Sequence, residues 1–597
     1  MNCNFPNYYV FVFWQPLSET SLPLAELQAV LRHLDRTTVV ELVHPDALLD
    51  GRTPELPSRY IAVAPLRQSA IVASTHKLDA ANLVARAGYI HSGGHLVFAS
   101  QWRKADTAGV RKSCRQYLMQ HSSSGADLIW YQKMDEKNAP KELHSILIDE
   151  SRYHLGERPF RPEAERIRVA LRGQSNTTKT LLYAYRDRAR TISDTQTTYL
   201  DYEERDTEDY LVIYKTEAKK ENPIHNLDDI DECKPFWAGI FNTPHRLINA
   251  LLNMADVGEN SIVVDPFSYS GTVAIETAKL GGIAKSFDVS EIRGAEDNFR
   301  FFCTAEGKAT LQAARLILND PKKVRGLLAL AVEYSGVNEL NMPDVRENGR
   351  IEQLMLQHSW RKQLGTPGGR MAYYLLRRYH MESKRKVRKV GSDPQKYVSK
   401  LLNRLESSLH YMSALREYEQ DDQRICIVPG QDVTSKHCLD HKHKTNRVFL
   451  SYSTDKLDGN GFKFKLHDIT GKPLPLADGS VDAVVTDPPY GYGDMIERDD
   501  LYQIYTAFFN QALRIIKDGG SLAFCALDKV RTGRAANNLF TTEEVIRMLH
   551  DAASKSRIDF AFPSIDPLAE QARGLYYWKS PKALNRSIFA ARIYRRK

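Results

Sequence analysis

The chain has 597 residues, 42% of them hydrophobic and 26% charged, a balance that excludes a disordered protein and suits roughly two to four folded domains. Its formal net charge of +8 is concentrated: from Arg361 to Arg404, 13 Lys and Arg face only Glu382 and Asp393, a local excess of +11 that leaves −3 for the remainder. Such a segment is the footprint of a polyanion partner. No basic stretch precedes Tyr8–Trp14 and no apolar run approaches the ~20 residues that span a bilayer, Gly326–Val332 being typical of the best. The cysteines Cys3, Cys114, Cys233, Cys303, Cys426, Cys438 and Cys525 are scattered, odd in number and never in a C-x-x-C pair. That pattern fits reduced thiols, so a cytoplasmic protein without a membrane partner is expected.

Residues 1–215 alternate short β-rich runs (Tyr8–Trp14, Thr38–Val43, Ile61–Val63, Leu211–Tyr214) with helical stretches at Leu24–Leu34 and Leu78–Ala87, which predicts an α+β module. A polar, acid-rich linker with Pro223 follows over 216–233. Residues 234–304 then read helix, strand, helix, strand: Asn242–Ala255, Ser261–Asp265, Thr272–Leu280 stopped by Gly281–Gly282, and Ile283–Asp288. Residues 305–460 are polar and mostly helical and contain the basic segment. The α/β rhythm resumes over 461–597. Strands are expected at Phe464–Asp468, Ala483–Asp487 and Ser521–Leu527. A helix is expected over Asp499–Lys517, stopped by Gly519–Gly520, and another to about Ser554 behind a Thr541/Glu544 capping box. Gly574–Trp578 and Ser587–Tyr594 close the chain as a hairpin. The fold class expected is α/β: one parallel sheet, interrupted by a helical insertion, finished by an antiparallel hairpin and preceded by an α+β module.

Two segments carry chemistry. Val263-Val-Asp-Pro-Phe-Ser-Tyr-Ser-Gly-Thr272 is a strand turning into a helix, where small residues let a ligand approach the N–H groups of a helix N-terminus. Asp288 ends the next strand, where a carboxylate accepts hydrogen bonds from a ribose diol. The alternative is an ordinary βα turn with an exposed Asp. The second segment is Asp487-Pro-Pro-Tyr-Gly491 at a strand's carboxyl end. Asp487 and the carbonyl of Pro488 can both accept from an exocyclic amine, Pro488 and Pro489 stiffen the turn, and Tyr490 can stack on a flipped-out base. Against this stands a Pro-rich turn with a packing Tyr.

In these segments the chain resembles S-adenosylmethionine-dependent methyltransferases of exocyclic base amines in nucleic acid. Asp265-Pro-Phe…Gly271-Thr272 looks like their cofactor loop, and Leu474 to Gly491 looks like the approach to their Asp-Pro-Pro-Tyr motif. The resemblance implies a Rossmann-like methyltransferase sheet and S-adenosylmethionine as cofactor. It implies that Asp265 and Gly271 contact the methionine moiety, Asp288 the ribose and Asp468 the adenine amine. Phe267, Ser270 and Thr272 of the loop join the set, with Phe236 from Lys234-Pro-Phe-Trp-Ala-Gly-Ile-Phe241. Asp487, Pro488, Pro489 and Tyr490 are the implied catalytic residues. The run Asn82–His91 and the N-terminal module are similar to tRNA guanosine-N2 methyltransferases, which carry an RNA-binding THUMP module. DNA adenine-N6 and cytosine-N4 enzymes share the motif, and some carry a target-recognition insertion where 305–460 lies. One departure is Tyr269, where the family usually has a glycine, so that the loop repacks or cofactor affinity falls.

Ser383–Val390 offers Lys384, Arg385, Lys386, Arg388 and Lys389 as phosphate contacts, with Tyr373, Tyr374, Tyr379 and Tyr397 available for stacking; the alternative is a solvated helix face. Cys426, His437, Cys438, Asp440, His441 and His443 match no zinc spacing, and no metal is expected. Tyr492, Asp494 and Glu497 either line the base pocket or cap the next helix. Nucleic acid is the expected partner, tRNA ahead of DNA, with a small activating subunit as an optional one. A non-catalytic nucleic-acid-binding subunit is the competing reading.

Overall fold

The computed structural model describes, apart from short breaks, residues 7–101, five strand segments between 127 and 219, and residues 234–236, 243–335, 361–385 and 393–406. It further describes two short strands at 426–427 and 448–449, and residues 462–491, 496–527, 539–562, 575–578 and 586–596.

The N-terminal part contains β1 (Asn7–Phe13), α1 (Leu22–Leu34), β2 (Val39–Leu42), α2 (Pro45–Leu49), β3 (Tyr60–Pro65), β4 (Ser69–Ser74), α3 (Ala80–Arg86) and β5 (Ile90–Gln101). Strands β6 (Asp127–Trp130), β7 (Leu147–Ile148), β8 (Arg166–Arg172), β9 (Leu181–Arg188) and β10 (Asp209–Lys219) follow. They form one ten-stranded sheet in the order β2-β3-β4-β1-β5-β10-β9-β8-β6, with β7 beside β8. Strand alternation sorts β1 onto two cores. Tyr9, Phe11 and Phe13 pack beneath Leu24, Leu27 and Leu31 of α1 and Leu83 of α3, whereas Val10 and Val12 face Leu48 of α2 and Tyr210. With both faces covered, β3 and β4 are buried at every position, which is why they read as unbroken apolar runs. Strand β10 pairs with β9 through Lys215 and with β5 through Lys219, which lies inside the span expected to be linker.

The rest of the chain builds a second sheet. Before the insertion come α4 (His245–Met254), β11 (Ile262–Asp265), α5 (Thr272–Lys279), β12 (Ile283–Asp288) and α6 (Ile292–Cys303). The insertion holds α7 (Glu306–Leu318), α8 (Pro321–Ser335), α9 (Pro367–Arg385) and the paired strands β13 (Cys426–Ile427) and β14 (Val448–Phe449). After it come β15 (Lys463–Leu466), β16 (Val481–Thr486), α10 (Arg498–Ile515), β17 (Ile516–Leu527), α11 (Thr542–Lys555), β18 (Ile558–Ala561), β19 (Leu575–Trp578) and β20 (Arg586–Arg595). The order is β15-β12-β11-β16-β17-β20-β18, with β19 also on β20. Every pair from β15 to β17 is parallel and every pair with β20 is antiparallel. This is a Rossmann-like α/β sheet with the expected terminal antiparallel pairing. One expectation changes. Gly519–Gly520 does not stop α10: the chain passes straight from Ile515 into β17, and the glycines form a bulge between Ile516 and Ser521. Gly520 is required there because a Cβ would lie 2.7 Å from the Asp482 carbonyl oxygen. The Thr541/Glu544 capping box is present as expected.

Helices α7, α8 and α9 pack on α6 around Phe301, Phe302, Leu311, Leu327, Leu375 and Leu376, so the front of the insertion shares a core with the cofactor half. Its anchor is a buried bidentate ion pair: Arg370 Nε and Nη2 donate to Asp297 at 2.5 and 2.8 Å. Two of the tyrosines expected to be available for stacking are not. Tyr373 and Tyr374 are each 1% exposed, and Tyr379 and Tyr397 lie 5.4 Å apart as a ring pair. The apolar face of α9 needed a partner, and α7 with α8 supplies it.

The two sheets are joined through α1, α3 and α4. Leu22, Ala25 and Ala29 pack among Leu247, Leu251 and Leu252. Fully buried Glu26 accepts from Gly88 N, Tyr89 N and Asn253 Nδ2 at 2.7–2.8 Å. Asp256 accepts from His33 Nδ1 and Arg592 Nη2, each at 2.6 Å. A buried carboxylate with three donors is strongly position-specifying, because misdocking would strand its charge.

Candidate functional site

Parallel strands end at one edge of a sheet, and the residues at those ends face a common crevice. Asp265 closes β11, Asp288 closes β12 and Asp487 follows β16. Thr486 Oγ1 donates to Asp265 Oδ1 at 2.6 Å, and Phe267 N donates to the same oxygen at 3.1 Å. Burial pushes the Asp265 carboxyl up to about 7; these two donors oppose the rise, and the nearby charges of Asp288 and Asp487 add to it. The loop between β11 and α5 is tightly held. Tyr269 N donates to Asp288 Oδ2 at 2.8 Å, and Gly271 N donates to the Ser268 carbonyl at 2.7 Å.

Two left-handed residues shape this loop. Gly271 caps α5 at φ +80°, and a Cβ there would sit 2.9 Å from the Ala295 carbonyl oxygen of α6. Tyr269 has φ +40°, so a side-chain-bearing residue takes the conformation that glycine adopts without strain. The bond from Tyr269 N to Asp288 is what holds it there. Behind the loop, buried Lys234 donates from Nζ to Ser270 Oγ at 3.1 Å and Thr272 Oγ1 at 2.5 Å. Asn298 of α6 ties the layers, accepting from Phe236 N and donating to the Ser270 carbonyl, both at 3.1 Å. Burial, with the Lys234 charge, lowers His245 to about 3 despite its 2.6 Å bond to Glu276. His245 is therefore a neutral structural donor rather than an acid.

The second half of the site surrounds Asp487. Thr243 Oγ1 donates to its Oδ2 and the Tyr490 hydroxyl to its Oδ1. Arg586 Nη2 lies 3.4 Å from Oδ2, and Arg586 Nε donates to the Tyr490 hydroxyl at 2.9 Å. Side-chain exposure is 8% for Arg586 and 10% for Asp487. Burial holds the Tyr490 phenol well above its ordinary value, and Asp487 adds to that. Burial likewise raises the Cys525 thiol, again with help from Asp487. Cys525 is thus a neutral thiol and a poor nucleophile.

The sequence-predicted residues fall into distinct roles. Asp265, Gly271, Asp288, Asp487 and Tyr490 share the crevice edge. Ser270 and Thr272 turn their hydroxyls back to Lys234. Phe236 is 3% exposed and meets Tyr374 edge-on at 6.1 Å, whereas Phe267 meets Phe508 of α10 at 5.5 Å. Pro488 is buried and Pro489 partly buried. Strand β15 ends at Leu466, so Asp468 lies just past the strand end expected of it. There it accepts from Thr470 N and Oγ1 at 2.9 and 2.6 Å. The His467 N bond to the Asp288 carbonyl at 2.7 Å keeps this turn at the crevice edge.

Lys384 and Arg385 stand in the last turn of α9, with their side chains outside the described residues. Lys386, Arg388 and Lys389 lie wholly outside them, as do Tyr492, Asp494 and the His/Cys stretch 437–443. Glu497 caps α10 through its backbone. Among the described residues no helix is long and apolar enough to cross a membrane.

Thr243, Thr486 and Arg586 were not anticipated. Arg586 reaches the site because β20 runs antiparallel: its first residue, paired with Leu527, arrives where β17 ends. The only sequence signal was an Arg immediately before the last β-rich run, and nothing in the sequence places that strand beside β17.

These residues fit S-adenosylmethionine. A Cβ-free approach at Gly271, an α5 N-terminus facing the crevice and carboxylates at Asp265 and Asp288 suit a ligand with a ribose and cationic groups. The buried Ser268 Oγ in the loop has no protein partner.

Among curated proteins no match is found. Solved structures that match the chain include TrmN from Thermus thermophilus (11% identity, TM-score 0.31, 98% of this chain and 99% of that one). Others are a possible methylase from Clostridium difficile 630 (9%, 0.30, 99% and 98%) and the rRNA methyltransferase aviRa from Streptomyces viridochromogenes (10%, 0.23, 61% and 92%). Residues 438–551 match the family UPF0020, described as an RMKL-like methyltransferase domain. The stretch that contains Asp487 thus matches a methyltransferase domain.

Proposed function

We propose that the protein methylates an exocyclic amine of a nucleic-acid base, guanosine N2 in tRNA before any other. The observation that carries this reading is the position of Asp487. It is a nearly buried carboxylate in a Pro-stiffened turn, one strand over from Asp265 in the crevice where the cofactor fits. An acceptor rather than a nucleophile is what an amine needs. Asp487 and the Pro488 carbonyl accept the amine's two hydrogens, which draws its lone pair out of conjugation with the ring. When bound, the cofactor supplies a sulfonium methyl, which passes to the amine nitrogen as the carbon–sulfur bond breaks with its electron pair left on sulfur and a proton leaves nitrogen for water. Thr243 and Arg586 hold the carboxylate in one orientation, so the barrier is lowered by placement and electrostatics. Covalent catalysis is disfavoured because the nearby thiol, Cys525, is neutral and buried. The basic residues of 361–404 other than buried Arg370, Arg377 and Arg378 supply backbone affinity without base choice.

The test is incubation of the purified protein with methyl-labelled S-adenosylmethionine and either total tRNA or plasmid DNA, followed by digestion to nucleosides. Labelled N2-methylguanosine from tRNA is expected. Label in N6-methyladenine or N4-methylcytosine of DNA selects the DNA reading, which the insertion between the two halves of the domain favours. Label in neither nucleic acid rejects both.

A further inference from the structure

The transfer pocket is closed on itself. A tyrosine that stacks on a base must offer a ring face, yet one face of Tyr490 lies beneath the Arg586 guanidinium, 5.6 Å from the ring centroid. Its hydroxyl bridges Asp487 and Arg586 Nε. The acceptor that the amine requires is thereby occupied by a protein donor. We propose that Arg586 is a positioning residue of the transfer site: it holds Tyr490 turned inward as a cap on Asp487, and an entering base displaces the hydroxyl. This rests on the amine-methylation reading above.

The arrangement suits exchange. Arg586 is fixed by its backbone, paired with Leu527 on one side and Trp578 on the other. Its buried charge needs Asp487 whether or not Tyr490 is present. When the hydroxyl leaves Oδ1, the carboxylate stays paired through Oδ2 with Arg586 and Thr243. An incoming N–H then replaces an O–H at Oδ1, one donor for another, so little hydrogen-bond energy is lost. Without an occupant, the cap keeps the carboxylate from being left unsatisfied. Arg586 never touches the base; it acts through Tyr490 and Asp487.

Two measurements test this, the first independent of any substrate. Tetranitromethane nitrates accessible tyrosines, and peptide mapping resolves each site. In the wild type Tyr490 is expected to nitrate at least about tenfold more slowly than Tyr502, which is 53% exposed. Arg586→Met should abolish that protection and Arg586→Lys restore part of it, with S-adenosylmethionine binding retained in both. With tRNA as substrate, Arg586→Met should lower kcat about tenfold in the wild-type background and by a smaller factor in Tyr490→Phe, where only its direct hold on Asp487 is left to lose. Nitration of wild-type Tyr490 at the Tyr502 rate, unchanged protection in Arg586→Met, or equal kcat losses in both backgrounds overturns the proposal. If wild type methylates neither tRNA nor DNA while the nitration pattern holds, the hold of Arg586 on Tyr490 stands and the substrate reading alone falls.

Discussion

The Thr486 hydroxyl donates to the Asp265 carboxylate at 2.6 Å, tying the last residue of β16 to the last residue of β11. The catalytic half of the domain thereby touches the carboxyl group that the cofactor half presents to its ligand. Because burial raises Asp265 to about 7, that group changes charge within the physiological range. A cationic ligand prefers it ionised. Affinity for S-adenosylmethionine should therefore fall as pH drops through 7, and Asp265→Asn should bind weakly with a flat profile between pH 6 and 8. Calorimetry across that range checks both. Thr486→Val removes a donor to the carboxylate and should move the midpoint upward.

The same group sets a stability slope of opposite sense. A carboxyl raised in the folded state binds its proton more tightly there than in the unfolded chain. Its stabilising contribution is complete below the ordinary carboxyl value and is lost as pH rises through about 7. Comparing ligand-free wild type with Asp265→Asn, the melting temperature should favour the wild type more at pH 5.5 than at pH 8.

Gly271 tests the loop's backbone. Its φ of +80° and the 2.9 Å approach of a Cβ to the Ala295 carbonyl mean that alanine there meets both left-handed strain, about 1–2 kcal/mol, and a clash with α6. Gly271→Ala should weaken cofactor binding by about 5- to 30-fold where the bound loop must keep this geometry, measured by calorimetry on protein whose circular dichroism is unchanged. Wild-type affinity would show that the loop does not need this geometry.

Arg370 and Asp297 form the insertion's buried anchor, at 1% and 2% side-chain exposure. Removing one partner strands a charge, so Arg370→Met should destabilise the protein by about 3–5 kcal/mol, whereas Arg370→Met with Asp297→Asn should recover much of that loss. Urea denaturation gives both numbers. Thr541→Ala is the matched control. It removes one cap of α11 for about 1 kcal/mol and should leave cofactor binding untouched.

Much of this architecture was legible because local rules sufficed. Val263–Asp265 is a buried apolar run that stops at an acid, Ala483–Val485 is one that leads through Thr486 to Asp487, and Thr541/Glu544 is a capping box readable from four residues. Tyr373 and Tyr374 were misread because a Tyr beside basic residues looks like a stacking platform until the helix that covers it is known. Gly519–Gly520 looked like a helix stop, but the required backbone approach belongs to a β-bulge across from Asp482. Arg586 was invisible for a topological reason. Its partners Asp487 and Tyr490 lie 99 and 96 positions earlier, and only the antiparallel return of β20 brings them together.

The central claim is that Asp487 serves transfer rather than cofactor binding, and one comparison tests it most directly. Wild type and Asp487→Asn are assayed side by side for S-adenosylmethionine affinity and for labelled methyl incorporation into total tRNA. Equal affinity, within about twofold, is expected, with incorporation reduced about 100-fold or more in the variant. Undiminished incorporation in Asp487→Asn, or loss of cofactor binding in a folded variant, would contradict it.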